Sequence, residues 1–86
     1  MEQKKEVKYY DLQLSAFLIT VGHSLLHEPY SLKDKPHRYI FAFEDTPKLR
    51  TNVLDFYNRE ATVNASLFAD NLKHLKGIVK NLQEGR

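Results

Sequence analysis

The segment from His37 to Phe43 constrains the fold more than any other part of the chain, because its side chains alternate in the way that a β-strand requires. One face would carry His37, Tyr39, Phe41 and Phe43, and the other would carry Arg38, Ile40 and Ala42. Both faces become apolar toward the end of the segment, so we expect packing on both sides there. This strand is therefore predicted to lie at the centre of the fold.

A second strand is predicted just before it, so that the two form a hairpin. The arms span about residues 24–31 and 37–44, and the polar segment 31–36, which ends in Pro36, is predicted to be a surface loop. Because a two-stranded sheet is only marginally stable, we expect the aromatic, β-prone residues 6–10 to add a third strand. The link from that strand to the hairpin has about the dozen residues that a parallel crossover requires.

The first helix is predicted over residues 12–21 from the spacing of its apolar residues. Asp11 stands where an N-cap carboxylate accepts backbone N–H bonds, and Gly22 suits a left-handed helix end. No residue of this helix is charged, so we predict that it forms the heart of the core.

Two further helices are indicated by capping residues and apolar stripes. One runs from Pro47 to about Arg59, because proline suits a first helical turn. Its N-cap is Asp45 or Thr46, and Asn64 is the N-cap of the other helix. The residues predicted to face the core are Leu49, Val53, Phe56 and Tyr57 in the former and Leu67, Phe68, Leu72, Leu75, Ile78, Val79 and Leu82 in the latter.

Together these elements predict an α+β fold in the order β-α-β-β-α-α, with a small two- or three-stranded sheet packed by three helices. The 86 residues suit one domain, 1–86, because a chain of this length has no room for two independent cores. We expect residues 1–5 and 84–86 to be disordered, since both stretches are polar.

Composition excludes several classes of protein. The chain has no cysteine, which excludes disulfide frameworks, thiolate metal sites and cysteine nucleophiles. Its first residues are polar and charged, and no run approaches the roughly 18 apolar residues that span a bilayer. We therefore predict a soluble cytoplasmic protein with no membrane association.

Residues spread over nearly the whole chain follow a known pattern. They are the run 10–18, Gly22 and the run 41–45 in the first half, and Tyr57-Asn58, Val63-Asn64, Phe68 and the run 71–76 in the second. In these residues the chain resembles a family of short bacterial and phage or mobile-element proteins of unknown function. The resemblance implies an origin in such genomes and supports the order of elements, but it carries no catalytic residue. One departure is the segment 58–60, Asn-Arg-Glu, where the family commonly has a glycine-containing turn.

Catalytic candidates are few. Glu44 and Asp45 are adjacent acids, and beside a helix start they are interpreted as capping residues rather than as a general acid/base pair. An enzyme would need a deep pocket that gathers both with a histidine. The three glycines of the chain form no phosphate-binding loop. We therefore predict that the protein is not an enzyme and takes no cofactor and no small-molecule substrate.

Histidines are the remaining candidates for metal ligands. His23 and His27 have the i, i+4 spacing of two ligands on one helix, but Gly22 is predicted to end the helix before them. In a strand the same spacing separates two residues by about 13 Å. We therefore predict no metal site.

Nucleic acid is one candidate partner. The residues that could contact it are Lys33, Lys35, Arg38, Tyr39, Lys73, Lys76 and Lys80. Their basic groups would neutralise phosphates, and the ring of Tyr39 would stack on a base. The formal net charge of only +2 argues against a protein that coats nucleic acid. The plainer alternatives are that Tyr39 belongs to the core and that the helix lysines form a solvated face.

Association with a second copy is also predicted. Five tyrosines and five phenylalanines offer more apolar surface than one small core is expected to hide. Tyr9, Tyr10, Tyr30 and Tyr57 suit half-buried or interface positions, and the edges of a small sheet invite pairing. Asn71 lies within an apolar stripe, as either a buried hydrogen-bonding anchor or a polar group of an interface.

The resulting prediction is a non-enzymatic accessory binding protein of a bacterial or phage system. It would act as a homodimer that contacts nucleic acid or a protein partner. The alternative is a purely structural or assembly protein with no nucleic-acid role.

Overall fold

The elements follow one another in the order β-α-β-β-α-α, which confirms the predicted α+β fold. A computed structural model describes residues 5–84. The elements are β1 (Glu6–Tyr9), α1 (Leu12–Thr20), β2 (Tyr30–Leu32), β3 (Lys35–Glu44), α2 (Pro47–Tyr57) and α3 (Ala65–Glu84). The predicted disorder of residues 1–4, 85 and 86 concerns residues outside this range. Lys5 and Glu84 lie within it: the carbonyl of Lys5 accepts from the N–H of Asp45 (2.7 Å), and Glu84 is the last residue of α3.

The sheet has β3 at its centre, as the alternation in that segment predicts. Its strand order is β1-β3-β2, and both outer strands run antiparallel to β3. β1 and β2 are therefore parallel to each other on opposite sides of β3. The connection through α1, residues 10–29, is a crossover between them, and it is longer than the dozen residues predicted because β2 begins only at Tyr30.

The first arm of the hairpin differs from the predicted span 24–31, because β2 has only three residues and the turn lies at Lys33 and Asp34. Before β2, Leu25 forms an isolated bridge to Phe43, whereas Tyr30 pairs with Ile40. The first arm thus has two more residues than β3 between these pairs, and they bulge out of the ladder. The predicted loop 31–36 is too long, since residues 31, 32, 35 and 36 belong to strands.

Helix α1 has the two ends that its sequence predicts. A carboxylate oxygen of Asp11 accepts from the backbone N–H groups of Gln13 (2.9 Å) and Leu14 (3.1 Å). At the other end Gly22 adopts φ 110°, and the N–H of His23 donates to the carbonyl of Leu18 at 2.9 Å. This is the hydrogen-bond pattern of a Schellman end, which requires a left-handed residue. Five consecutive residues of α1, 14–18, are buried, so α1 is the central helix of the core.

The other two caps are also in their predicted positions. The hydroxyl of Thr46, rather than Asp45, accepts from the N–H of Leu49 at 3.0 Å and starts α2. The side-chain carbonyl of Asn64 accepts from the N–H of Leu67 at 3.0 Å and starts α3. α2 ends at Tyr57, two residues before the predicted end.

The core lies between the helices and one face of the sheet. Tyr39, Phe41 and Phe43 of β3 pack there with α1, with Leu49 of α2 and with Leu75 of α3. The principal extents of 38 × 37 × 21 Å fit these two layers, one of strands and one of helices.

Two residues predicted to face this core are instead exposed. Tyr57 is 58% exposed and Leu67 is 54% exposed. Tyr57 is the last residue of α2, and Leu67 lies in the first turn of α3, about 80° around the helix from Leu75. The apolar stripe of each of these helices is therefore wider than the part of the helix that packs on neighbouring elements.

Asn71 is an anchor between two helices. Its amide nitrogen donates to the hydroxyl of Thr20 in α1 at 2.9 Å, and the hydroxyl of Thr20 in turn donates to the carbonyl of Ala16 at 2.7 Å. The polar residue in the α3 stripe therefore has a partner inside the protein. Along residues 5–84, no helix is long and apolar enough to cross a membrane.

Candidate nucleic-acid interface

The basic candidates form two separate sets. Lys33 lies in the hairpin turn, Lys35 begins β3 and Arg38 follows on the same strand, and all three are exposed. We call these three residues the hairpin set. The helix set consists of Lys73, Lys76 and Lys80, which are exposed along the outer side of α3.

The two sets do not share one face of the molecule. Tyr39 points toward the helices, so its neighbour Arg38 points to the opposite side of the sheet. The helix set lies on the side of α3 turned away from Leu75, on the outside of the helical layer. The end of α3 does approach the hairpin, where Gln83, Pro36 and His37 line one shallow surface depression. A ligand held by Arg38 would therefore lie on a different layer from the helix lysines.

Tyr39 cannot serve as the predicted stacking ring in this structure. It is only 8% exposed and belongs to the core with Phe41 and Phe43. Of the two predictions for Tyr39, a stacking ring or a core residue, the structure therefore shows the core residue. The reason is the register of β3, which directs every second side chain to the helices.

A different aromatic residue is exposed beside Arg38. Tyr10 follows directly on β1 and is 52% exposed. The guanidinium carbon of Arg38 lies 5.0 Å from the centroid of its ring, which is a cation–π contact. The alternation of β1 could have indicated this placement, because Val7 and Tyr9 pack on the core and leave residues 6, 8 and 10 for the other side.

These residues belong to what we call the open sheet face, the side of the sheet opposite the helices. It carries Glu6, Lys8, Tyr10, Tyr30, Arg38, Ile40, Ala42 and Glu44, because paired residues of neighbouring strands share a side. Within residues 5–84, all the helices pack on the other side, against Tyr39, Phe41 and Phe43. The middle of this face is nevertheless buried, because Ile40 and Ala42 are only 3% and 1% exposed, as the apolar residues on both sides of this strand predict. The exposed side chains of the open sheet face are Glu6, Lys8, Tyr10, Arg38 and Glu44.

Charge on the open sheet face is divided between its two ends. Glu6 lies opposite Glu44 in the register of β1 and β3, at one end of the ladder, whereas Arg38 and the hairpin lysines lie toward the other end. Lys8 stands between them, opposite Ala42. An anionic ligand is therefore favoured at the hairpin end and disfavoured at the Glu6–Glu44 end.

His27 lies near the acidic end. Its Nδ1 is 3.2 Å from the carbonyl of Glu28 and its Nε2 is 3.3 Å from a carboxylate oxygen of Glu6. Both partners are acceptors, so the doubly protonated ring is favoured, and the bond to the Glu28 carbonyl and then the Glu6 carboxylate raise the pKa of His27 above 6.5. Its ring centroid is 5.7 Å from that of Tyr30.

A polar cleft of about 420 Å³ bears on the enzyme question. It is lined by residues 22–26 with Glu44 and Thr46, so it brings His23 and Glu44 to one place. The amide of Asn52 donates to Nε2 of His23 at 2.9 Å, and partial burial, with Lys48 nearby, lowers the pKa of His23. Asp45 is not part of this lining and instead accepts from Arg50 at 3.0 Å. The cleft therefore holds Glu44 and a histidine but not Asp45, so it does not gather the three residues that the sequence analysis requires for an enzyme.

Possible metal ligands are also dispersed. Across the described part of the chain, no three histidine, aspartate or glutamate side chains lie close enough together to hold a metal ion. His23 bonds to Asn52, and His27 bonds to Glu6 on the open sheet face.

Comparison with known proteins places the chain in a family without assigning it an activity. A search of curated proteins and a search of solved structures each gave no match. The model of one protein family matches residues 4–81, which cover every element except the last residues of α3. The chain therefore belongs to the family described as a domain of unknown function, DUF5659.

Proposed function

We propose that this protein is a non-enzymatic binding protein whose hairpin end contacts the phosphate backbone of nucleic acid. The observation that carries the proposal is the position of Arg38 on the open sheet face, continuous along β3 and its turn with Lys35 and Lys33. These side chains are exposed, so they can reach a polyanion without leaving a buried partner unpaired.

Local acids reduce the positive charge of this end without reversing it. Asp34 lies between Lys33 and Lys35, and Asp11 is used as the N-cap of α1. Lys8 adds a further positive charge on the open sheet face. The contact we propose is therefore a limited one, in keeping with a formal net charge of only +2.

The helix set provides a matched control, because it has the same number of positive charges. Lys33→Ala, Lys35→Ala and Arg38→Ala together change the net charge as much as Lys73→Ala, Lys76→Ala and Lys80→Ala. Fluorescence anisotropy with a labelled single-stranded oligonucleotide would measure both triple variants over a range of salt concentrations. We expect the hairpin variant to bind more weakly and to reduce the slope of log K against log salt by roughly 0.7 for each phosphate that is no longer neutralised.

The helix variant should bind nearly as the unaltered protein does. Equal weakening in the two variants would show that only overall charge matters, and would contradict a contact localised to the hairpin. No binding by the unaltered protein at low salt would remove the nucleic-acid role altogether.

The proposal includes a homodimer, which exposed apolar residues on the helical layer support. Leu54 and Tyr57 of α2 and Leu67 of α3 are all more than half exposed. Beside them Phe56 and Phe68 line a groove of about 300 Å³. Burying such surface against a second copy is a common way to remove it from water.

Light scattering on a size-exclusion column distinguishes the two versions of this proposal. A dimer that also binds oligonucleotide supports the full proposal, in the bacterial or phage setting that the resemblance implies. A tight dimer that is indifferent to DNA and RNA favours the alternative, a structural or assembly protein. A monomer at all concentrations would contradict the dimer.

A further inference from the structure

We infer that Tyr10 and Arg38 form a stacking platform for an unpaired base, so that the nucleic acid bound at the hairpin end is single-stranded. This inference rests on the proposed function and names the kind of nucleic acid. It starts from the one place on the open sheet face, within residues 5–84, where an exposed aromatic ring and an exposed guanidinium lie together, 5.0 Å apart.

The platform has flat surfaces suited to a nucleobase. Bases stack on tyrosine rings and on guanidinium planes with little dependence on sequence. Here the guanidinium of Arg38 lies over one face of the Tyr10 ring, so a base can stack on the outer side of the guanidinium or on the other face of the ring. Tyr10 is more than half exposed despite the contact with Arg38, so part of its ring remains accessible.

The platform is held by rigid neighbours on both sides of Tyr10. Tyr9 pairs with Phe41 in the sheet, and Asp11 caps α1 through the N–H groups of Gln13 and Leu14. The backbone at Tyr10 therefore has little freedom left to lose when a ligand binds. A preorganised ring loses less conformational entropy on stacking than one on a free loop.

Geometry favours a single strand over a duplex. In a duplex the bases are already stacked and their faces are not accessible, so a ring on a sheet surface could reach only the backbone. In a single strand the base stacks on the platform while adjacent phosphates lie near Lys35 and Lys33, farther along the hairpin.

The absence of tryptophan from the chain allows a direct test. Tyr10→Trp places a single tryptophan on the platform, and His74→Trp places one at an exposed position of α3 that belongs neither to the basic sets nor to the proposed dimer surface. Each variant is titrated with single-stranded oligo(dT) and with a duplex of equal length. We expect oligo(dT) to quench the fluorescence of Tyr10→Trp, while the fluorescence of His74→Trp changes little and the duplex changes neither.

Affinity provides the second measurement. Tyr10→Leu should weaken binding of oligo(dT) by about tenfold, Tyr10→Phe should retain it because the ring remains, and duplex affinity should change by less than about twofold in both. Circular dichroism of Tyr10→Leu checks that the variant is folded. The Tyr10→Trp titration does not depend on that variant.

The outcomes separate this inference from the proposed function. The double variant Lys33→Ala with Lys35→Ala leaves the platform intact. If Tyr10→Leu binds oligo(dT) normally while this double variant does not, the phosphate contact stands and the stacking platform is overturned. Equal quenching of the two tryptophans would overturn it as well. If the unaltered protein binds neither single strand nor duplex, both proposals fail together.

Discussion

The two faces of the sheet are made from the same strands but carry different kinds of side chain. On the side of the helices, Phe41 and Phe43 are buried with Leu14 and Leu75 in the core. On the open sheet face, Tyr10 is exposed beside Arg38. Strand register therefore decides whether an aromatic residue near a run of charges lies in the core or on the surface, and its distance from the charges in sequence does not.

The largest expected effect comes from the core side. Phe43→Ala should lower the free energy of unfolding by about 3–5 kcal/mol, because a fully buried ring is replaced by a cavity. That is comparable with the whole stability of a small domain. Urea denaturation followed by circular dichroism measures it.

The matched control for Phe43→Ala lies on the open sheet face. Lys8→Ala removes an exposed side chain from β1 and should change the free energy of unfolding by less than about 0.5 kcal/mol. A decrease of several kcal/mol in both variants would show that the two faces contribute equally to stability, and would contradict the division of roles between them.

A smaller effect is expected at Asp11, which follows Tyr10 and caps α1. Asp11→Ala removes the acceptor for two backbone N–H groups at the start of α1 and should destabilise the protein by about 1 kcal/mol. Asp11→Asn retains an acceptor and should recover most of that stability. Thermal melts of the three proteins would test the cap, and equal melting temperatures for Asp11→Ala and the unaltered protein would contradict its role.

Arg59 tests a backbone effect away from both faces. It adopts φ 61°, within the segment where the resembling family commonly has a glycine-containing turn. Arg59→Gly should raise the free energy of unfolding by up to about 1 kcal/mol, because glycine relieves the left-handed strain but gains entropy in the unfolded chain. Arg59→Ala keeps the strain and should not stabilise, so an equal gain in both variants would exclude the backbone explanation.

The smallest effects concern two histidines with opposite pKa shifts. The pKa of His27 is raised, so its contribution to stability is present below pH 6.5 and is lost as the pH rises through its folded-state pKa. The pKa of His23 is lowered, so its contribution is present above pH 6.5 and is lost as the pH falls through its folded-state pKa.

An NMR titration of the imidazole resonances should give a higher pKa for His27 than for His23. Glu6→Gln should move the His27 value down and leave the His23 value unchanged. A reversed order of the two pKa values would contradict the hydrogen-bond assignment on the open sheet face.

Much of the fold could be predicted from the sequence because it depends on local signals. The caps at Asp11, Thr46 and Asn64 and the helix end at Gly22 each need only a few neighbouring residues. The alternation of β3 likewise lies within one segment and indicates a central strand.

The candidate site was harder to predict because it depends on which surfaces the elements cover. Tyr39 and Tyr10 are both tyrosines near basic residues, and only the packing of helices on one side of β3 separates a core ring from an exposed one. The same packing leaves Tyr57 and Leu67 outside the core. The short β2 depends on the bulge before it, which apolar composition does not reveal.

The strand order has a consequence for how the chain folds. Within residues 5–84, β1 is the first strand in sequence and pairs with β3, whose partner residues lie at 41–44. The β2–β3 hairpin closes over a short loop. Pairing of β1 with β3 closes a much longer loop, residues 10–34, which costs more chain entropy. We therefore expect pulse-labelling hydrogen exchange to find the amides between β2 and β3 protected earlier than those of β1, so that the strand made first is the last to join the sheet.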